Sequence, residues 1–344
     1  MGLQFREIVE GKTIEVKSLA NSILVVDSFN LLYQFLSSIR SRDGSLLTDS
    51  NGDVTSHLIG LFSRTTKLMQ KNLSLAFVFD GTPPHLKAAE RERRRELKQD
   101  AQKAYEAAKQ REDLAEMRKY ASRTTKLTPE MVKDAKELIT ALGLPVIQAP
   151  SEGEAQVAQV AKNGDANYGV SQDYDSLIYG TPNLIRNLSL EGKRKRTGKL
   201  AYDTIKPELI TLSDVLNKLG VDNNQLTVLA MLVGTDYNRG GVKGIGPKTA
   251  LKLVKEYGDD FDNLFKKVEW EKHCSHDWNE IYYTFKKMPV TNDYKIEFKK
   301  PSPEKIKEFL VEKHDFSMER VNSTLEKLEK LSQSQKQKGL GDFF

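Results

Sequence analysis

The stretches SILVVD (residues 22–27) and LSLAFVFD (residues 73–80) are short apolar runs, each ending in an acid. Runs of this length, rich in β-branched and aromatic residues, read as buried parallel strands with the acid at the carboxyl end. Between them VTSHLIGLFSRTTKLMQK has helical periodicity, with Leu58, Leu61, Phe62, Leu68 and Met69 on one face. PVIQA (145–149) and ANYGVSQ (166–172) read as further strands. PEMVKDAKELITALG reads as a helix that opens at Thr128-Pro129 and stops at Gly143. Strands alternating with helices predict an α/β fold with a mainly parallel central sheet flanked by helices. In such sheets ligands gather at the carboxyl ends of the strands.

Seven carboxylates stand at breaks in this apolar pattern: Asp27, Asp80, Glu152, Glu154, Asp173, Asp175 and Asp236. Four of their five locations fit the carboxyl edge. Each acid alone has a structural reading. Ser151-x-x-Glu154 matches a capping box, Asp173 could cap a turn, and Asp236 could open the glycine-rich loop that follows it. Together they repel one another at strand ends unless a cation neutralises them. An all-oxygen donor set suits hard cations such as Mg²⁺ and argues against zinc. Two such ions side by side cleave phosphodiesters, so the acids predict a metal-dependent nuclease or phosphotransferase.

The 344 residues are 38% hydrophobic and 29% charged, with a net charge of +5. Because the acids are gathered at one site, the remaining surface is more basic than the total, which favours an anionic polymer as partner. The single cysteine, Cys274, excludes an internal disulfide and fits an intracellular compartment. No apolar run reaches 18 residues, so no membrane span is expected. The first residues, MGLQFREIVEGKTIEV, are too charged for a secretory signal.

Three further stretches stand out. Lys87 to Arg123 holds 12 Lys/Arg and 8 Asp/Glu with much alanine. It has helix propensity and almost no apolar face; it reads either as a solvated helix laced with ion pairs or as a helical element against a polyanion. Its start lies just beyond Asp80, which places its base beside the acids. GGVKGIGPKTALKLVKEYG contains a tight turn, Gly244 to Thr249, that opens a helix and is flanked by Lys243 and Lys248. Glycines allow close backbone approach and the helix start presents free N–H groups to phosphate. This reads as the hairpin of a helix–hairpin–helix phosphate clamp. The tail LSQSQKQKGLGDFF is polar until Leu340, Phe343 and Phe344; with Gln337 these have the spacing of an apolar plug on one helical turn.

VVDSFNLLYQFL, VFDGTPPHLK, APSEGEAQ, SQDYDSLIYG, GTDYNRGGVKGIGPKTA and QKGLGDFF, in this order along the whole chain, resemble the flap endonuclease family of structure-specific DNA nucleases. The short tail ending in FF resembles the archaeal members. The resemblance implies a PIN-like α/β nuclease core, a helical arch from Lys87 to about Lys126, and a helix–hairpin–helix-type motif. It implies two Mg²⁺ ions held by the seven acids, with Mn²⁺ as a substitute. It assigns Lys87 and Arg94 to the scissile phosphate and Tyr33 to stacking on the nucleobase beside the cut. Lys243, Gly244, Gly246, Lys248 and Thr249 would grip the duplex backbone with the help of K⁺. Gln337, Leu340, Phe343 and Phe344 would bind a sliding clamp of the PCNA type.

The expected organisation is a nuclease core over 1–105 that includes the start of the arch, the rest of the arch over 106–125, and the core with the hairpin motif over 126–262. A C-terminal helical region (263–330) and a flexible clamp-binding tail (331–344) follow. Gly153, between the paired glutamates, is expected to loosen the start of their helix. The implied activity is Mg²⁺-dependent cutting of 5′-flap DNA at the junction, with 5′–3′ exonuclease activity, by a monomer working in replication and repair. Two other readings are a sister nuclease that cuts bubbles or four-way junctions and a non-catalytic DNA or clamp adaptor; the short arch argues against a bubble nuclease, and retention of all seven acids against an adaptor.

Overall fold

The computed structural model describes residues 5–190, 192–195 and 202–341. Its centre is a seven-stranded sheet in the order β1-β9-β6-β5-β2-β3-β4. The strands are β1 (Lys12–Thr13), β2 (Ile23–Asp27), β3 (Ser74–Phe79), β4 (Val146–Gln148), β5 (Tyr168–Val170), β6 (Asn183–Arg186) and β9 (Glu208–Thr211), while β7 (Gly192–Lys195) and β8 (Tyr202–Ile205) pair separately. The five strands from β6 to β4 run parallel, and β9 and β1 are added antiparallel at one edge. The mainly parallel α/β sheet read from the sequence is therefore the observed one.

The apolar runs are continuous because both faces of the sheet are covered. Along β3, Leu75, Phe77 and Phe79 pack with Leu58, Leu61 and Phe62 of α2 (Ser56–Met69) and with Leu138 and Ile139 of α5 (Pro129–Ala141). The alternate residues Ala76 and Val78 pack on the other face with Val157 and Val160 of α6 (Gly153–Lys162). This is the period of two that a strand imposes on its side chains. The helix α1 (Ser28–Ser38) follows β2 directly, and Asp27 caps it by accepting a hydrogen bond from the Asn30 N–H at 3.3 Å. Thr128 caps α5 in the same way, with Pro129 in its first turn.

The charged stretch after Asp80 folds as a helical hairpin: α3 (Ala88–Gln110), a turn with Glu112 at φ 56°, and α4 (Leu114–Ala121). It has a buried seam that its polarity hid. Ala101 and Ala108 on α3, and Met117 and Ala121 on α4, are all buried. Alanines let two helices approach closely without large apolar side chains. Beyond α7 (Asp175–Ile178) and α8 (Leu212–Leu219), the pair α9 (Asn223–Val233) and α10 (Pro247–Tyr257) pack on each other and frame the glycine-rich turn. Four further helices, Phe261–Lys267, Trp278–Lys286, Pro303–Lys307 and Met318–Gly341, complete the C-terminal part, with a π-helical turn at Glu308–Lys313. The last helix carries Gln337 and Leu340 in its backbone; Phe343 and Phe344 lie outside the described residues. Among the described residues no helix is long and apolar enough to cross a membrane.

Candidate active site

All seven acids line one cavity of about 1250 Å³, and Tyr33, Lys87 and Arg94 line it too. The fold accounts for the convergence. Asp27 ends β2, Asp80 follows β3, Glu152 and Glu154 stand at the start of α6 just after β4, and Asp173 and Asp175 follow β5. Neighbouring parallel strands deliver their carboxyl ends to one edge. Asp236 arrives differently, from the loop after α9. That loop is folded so closely that a Cβ on Gly241, at φ 56°, would lie 2.2 Å from the Leu232 carbonyl oxygen. Asn238 ties it down, accepting from the Thr235 hydroxyl at 2.6 Å and donating to the Met231 carbonyl at 2.6 Å.

Gly153 does the opposite of loosening its helix. Its N–H donates to Asp80 Oδ1 at 3.0 Å, and a Cβ there would stand 2.3 Å from the same oxygen. Only glycine lets the Asp80 carboxylate sit against the first turn of α6. Glu152 is the residue that caps α6, without a side-chain bond, so the capping-box reading of Ser151 and Glu154 fails. The Ser151 hydroxyl turns to the Thr82 carbonyl, and Glu154 accepts instead from the Ser171 hydroxyl at 2.9 Å.

The base of α3 enters the acid cluster. Lys87 Nζ donates to Glu152 Oε2 at 2.6 Å and stands 3.5 Å from Asp236 Oδ2. Arg94 Nη2 donates to Asp236 Oδ1 at 2.6 Å. Glu90, which sequence reading passed over as one ion-pairing residue among many, is buried and binds both Arg93 and Arg94 at 2.6–2.7 Å. Its i,i+4 spacing to Arg94 was the available signal. Arg93, followed by burial acting the other way and then Arg94, holds the Glu90 carboxyl down at about 2. Elsewhere in the lining, Lys98 lies 5.1 Å from the centre of the partly exposed Tyr33 ring.

Burial pushes the Asp27 carboxyl well above the usual carboxylate range, and Asp80 and Asp173 push it further. Burial also raises Glu154, with Asp175, Asp173 and Asp27 adding to it. Asp80 is pushed up to about 6, by burial first and then by Glu152, against the pull of Lys87. Burial works against the Lys87 ammonium, but Glu152 and then Asp236 outweigh it and hold the proton on. Among the described residues no three His, Cys, Asp or Glu side chains close on one point tightly enough to hold an ion. The donor chemistry still fits hard divalent cations. Asp27 and Glu154 are desolvated oxygens raised by other carboxylates, and neither has an ion pair among the described residues. A divalent cation removes that penalty.

The Gly244–Thr249 turn, at the start of α10, lies apart from this cavity's lining. Gly244 has φ 86° and Gly246 caps α10, with Pro247 in the first turn. Lys243, Gly244, Gly246, Lys248 and Thr249 are all exposed there. A helix start with uncovered N–H groups and flanking lysines is an anion-binding arrangement.

Comparison with known proteins gives the same answer along the whole chain. The XPG N-terminal domain matches residues 3–101 and the XPG I-region matches residues 143–236. The flap endonuclease 1 of Ignicoccus hospitalis is 49% identical over 338 residues, covering 96% of this chain and 95% of its own. That of Thermococcus onnurineus is 46% identical over 344 residues, covering 100% and 99%. The solved flap endonuclease-1 from Methanococcus jannaschii superimposes with a TM-score of 0.75 at 40% identity, covering 97% of this chain and 100% of that one. The catalytic core of Rad2 in complex with DNA substrate, at 22% identity and a TM-score of 0.69, shares the fold over 95% of this chain and 100% of its own. Seven acids gathered at one sheet edge under a helical hairpin, in a chain that matches these relatives nearly from end to end, carry the conclusion that it belongs to the flap endonuclease family of metal-dependent nucleases.

Proposed function

We propose that the seven acids hold two Mg²⁺ ions and that the site cuts 5′-flap DNA at the junction of single and double strand. The observation that carries this reading is the single cavity that brings together all seven acids, Lys87, Arg94 and Tyr33. When bound, the two cations supply a hydrolytic water active at neutral pH and neutralise charge on the leaving oxygen. Mn²⁺ has the same preference for oxygen ligands and substitutes.

The chain's own residues do the rest. Lys87 and Arg94 project from the base of the arch onto Glu152 and Asp236, so a phosphodiester entering the cavity meets two cations beside the acids. There they stabilise the charge that grows on the phosphate during cleavage. Tyr33, partly exposed at the cavity wall, offers a ring for the nucleobase next to the cut. The Gly244–Thr249 turn grips duplex phosphates through Lys243, Lys248 and the N–H groups at the start of α10, with K⁺ as an additional bridge. Phosphate contacts carry no base information, so selectivity is for shape; a nicked or branched junction bends at less cost than intact duplex. The flap passes by the arch, and 5′-end trimming follows from the same site. Gln337, Leu340, Phe343 and Phe344 dock a PCNA-type sliding clamp, which tethers the monomer where flaps arise in replication and repair.

The test separates cutting from binding. Asp175→Asn keeps the shape of a side chain proposed to ligate a cation and removes its charge. Flap cleavage in Mg²⁺ should fall by orders of magnitude while flap-DNA affinity in Ca²⁺ stays near wild type, because phosphate contacts are spread over other surfaces. Near-normal cleavage by this variant would remove Asp175 from the metal site.

A further inference from the structure

The two halves of the acid cluster are balanced by different means. On one side the chain supplies its own charge: Lys87 Nζ bonds Glu152 at 2.6 Å and stands 3.5 Å from Asp236, and Arg94 bonds Asp236 at 2.6 Å. On the other side, where β2 and β5 end, neutral donors reach Asp27, Asp173 and Glu154. Asn30, in the first turn of α1, gives its backbone N–H to Asp27 Oδ1 at 3.3 Å and its Nδ2 to Asp173 Oδ2 at 3.0 Å. Ser171 gives its hydroxyl to Glu154 Oε1 at 2.9 Å and accepts the Asp173 N–H at 3.2 Å. The result is an unbroken chain, Asp27–Asn30–Asp173–Ser171–Glu154, that joins three carboxylates from three separate segments.

We infer that Asn30 is a positioning residue: it fixes Asp173 relative to Asp27 and thereby sets the affinity of the β2/β5 side of the cluster for a divalent cation. The inference rests on the reading of the seven acids as the metal site. A carboxylate can only accept, so the amide must present its Nδ2, and that bond restrains one oxygen of Asp173 without neutralising it. A lysine in the same place would compete with a cation for the acids, as Lys87 does on the other side. A neutral donor orients the ligand and leaves its charge available. Outer partners of this kind typically contribute about 10–100-fold to metal affinity. Ser171 has the same role toward Glu154, and α1 brings Asn30 to its place because Asp27 itself caps that helix.

The experiment is Mn²⁺ titration by calorimetry on the full chain without DNA, for wild type, Asn30→Ala, Ser171→Ala and Asp173→Asn. Melting in chelator checks that each variant is folded. The expected result is a loss of about 10–100-fold in the affinity of the tighter-bound Mn²⁺ for Asn30→Ala, and a loss in the same direction for Ser171→Ala. Excess Mg²⁺ should restore flap cleavage to Asn30→Ala and not to Asp173→Asn; a merely structural defect would not be reversed by the cation. Wild-type Mn²⁺ affinity and stoichiometry in Asn30→Ala, with Asp173→Asn impaired, would overturn the role of Asn30 alone. Absence of Mn²⁺ binding by the wild-type chain would overturn the metal reading beneath it. If Asn30→Ala does not fold, Ser171→Ala decides: unchanged Mn²⁺ affinity there overturns the inference.

Discussion

Asp80 is the acid whose removal should strengthen the protein while silencing it. Its carboxyl is pushed from the usual 3.8 up to about 6 by burial and by Glu152, so the ionised form is held in the fold at a cost. A rise of about two pH units corresponds to about 3 kcal/mol. The sign follows from which state keeps the proton. Below about pH 4 the group is protonated folded and unfolded, and it costs nothing. Between about pH 4 and 6 the unfolded chain has released the proton while the folded chain keeps it, so stability falls with pH; above about 6 both are ionised and the full cost is present. Asp80→Asn removes the charge, and its Oδ1 can still accept the Gly153 N–H that holds Asp80 now at 3.0 Å. It also relieves Asp27, which Asp80 repels. The loss of attraction to Lys87 offsets part of the gain. In chelator at pH 8 the variant should therefore melt higher than wild type, by up to on the order of 5 °C for about 3 kcal/mol in a chain of this size. At pH 4 the two should melt together. Mg²⁺ should raise wild type more than the variant, since ligand binding to the folded state stabilises in proportion to ln(1 + [L]/Kd). Differential scanning calorimetry at both pH values, with and without Mg²⁺, reads all of this. A variant that melts below wild type in chelator at pH 8, by the same margin as at pH 4, would show that the ionised Asp80 carboxylate carries no such cost.

Lys87→Ala and Arg94→Ala should lower the single-turnover cleavage rate far more than flap affinity, each by a barrier increase of about 2.7–4 kcal/mol. Quench-flow kinetics beside equilibrium binding distinguishes this from simple phosphate anchoring, in which affinity drops and the rate holds. Lys243→Ala or Lys248→Ala should weaken duplex binding and flatten its salt dependence, with each lost phosphate contact lowering the log–log slope by about 0.9. An unchanged slope in a salt titration would mean that the Gly244–Thr249 turn faces away from DNA.

The sheet was legible because its strands are buried on both faces: SILVVD and LSLAFVFD read as continuous apolar runs, and their terminal acids fall at the carboxyl edge. Lys87 and Arg94 were legible through the family's motifs, and the structure places both against the acids. What escaped the sequence are the residues whose role is made by contacts between distant segments. Asn30 meets Asp173 across 143 positions, and no local pattern marks an asparagine in an apolar helix as a partner of a strand-end acid. Gly153 looked like a weakness because its value lies in the space it leaves for Asp80, which comes from another strand. Glu90 stood among many charges of one helix; its i,i+4 spacing to Arg94 could be read, but its burial could not. The alanine seam of the arch gave no signal because alanine is common in solvated helices too.

Whether the acid cluster cuts branched DNA at the flap junction with divalent cations is read by incision of end-labelled 5′-flap, bubble and four-way substrates in Mg²⁺ and in chelator. The expected result is a cut at the junction of the flap substrate in Mg²⁺ that leaves a 5′-phosphate on the duplex, weaker incision of the other two, and none in chelator. Preferred incision of the bubble or four-way substrate, or cutting that persists in chelator, would contradict it.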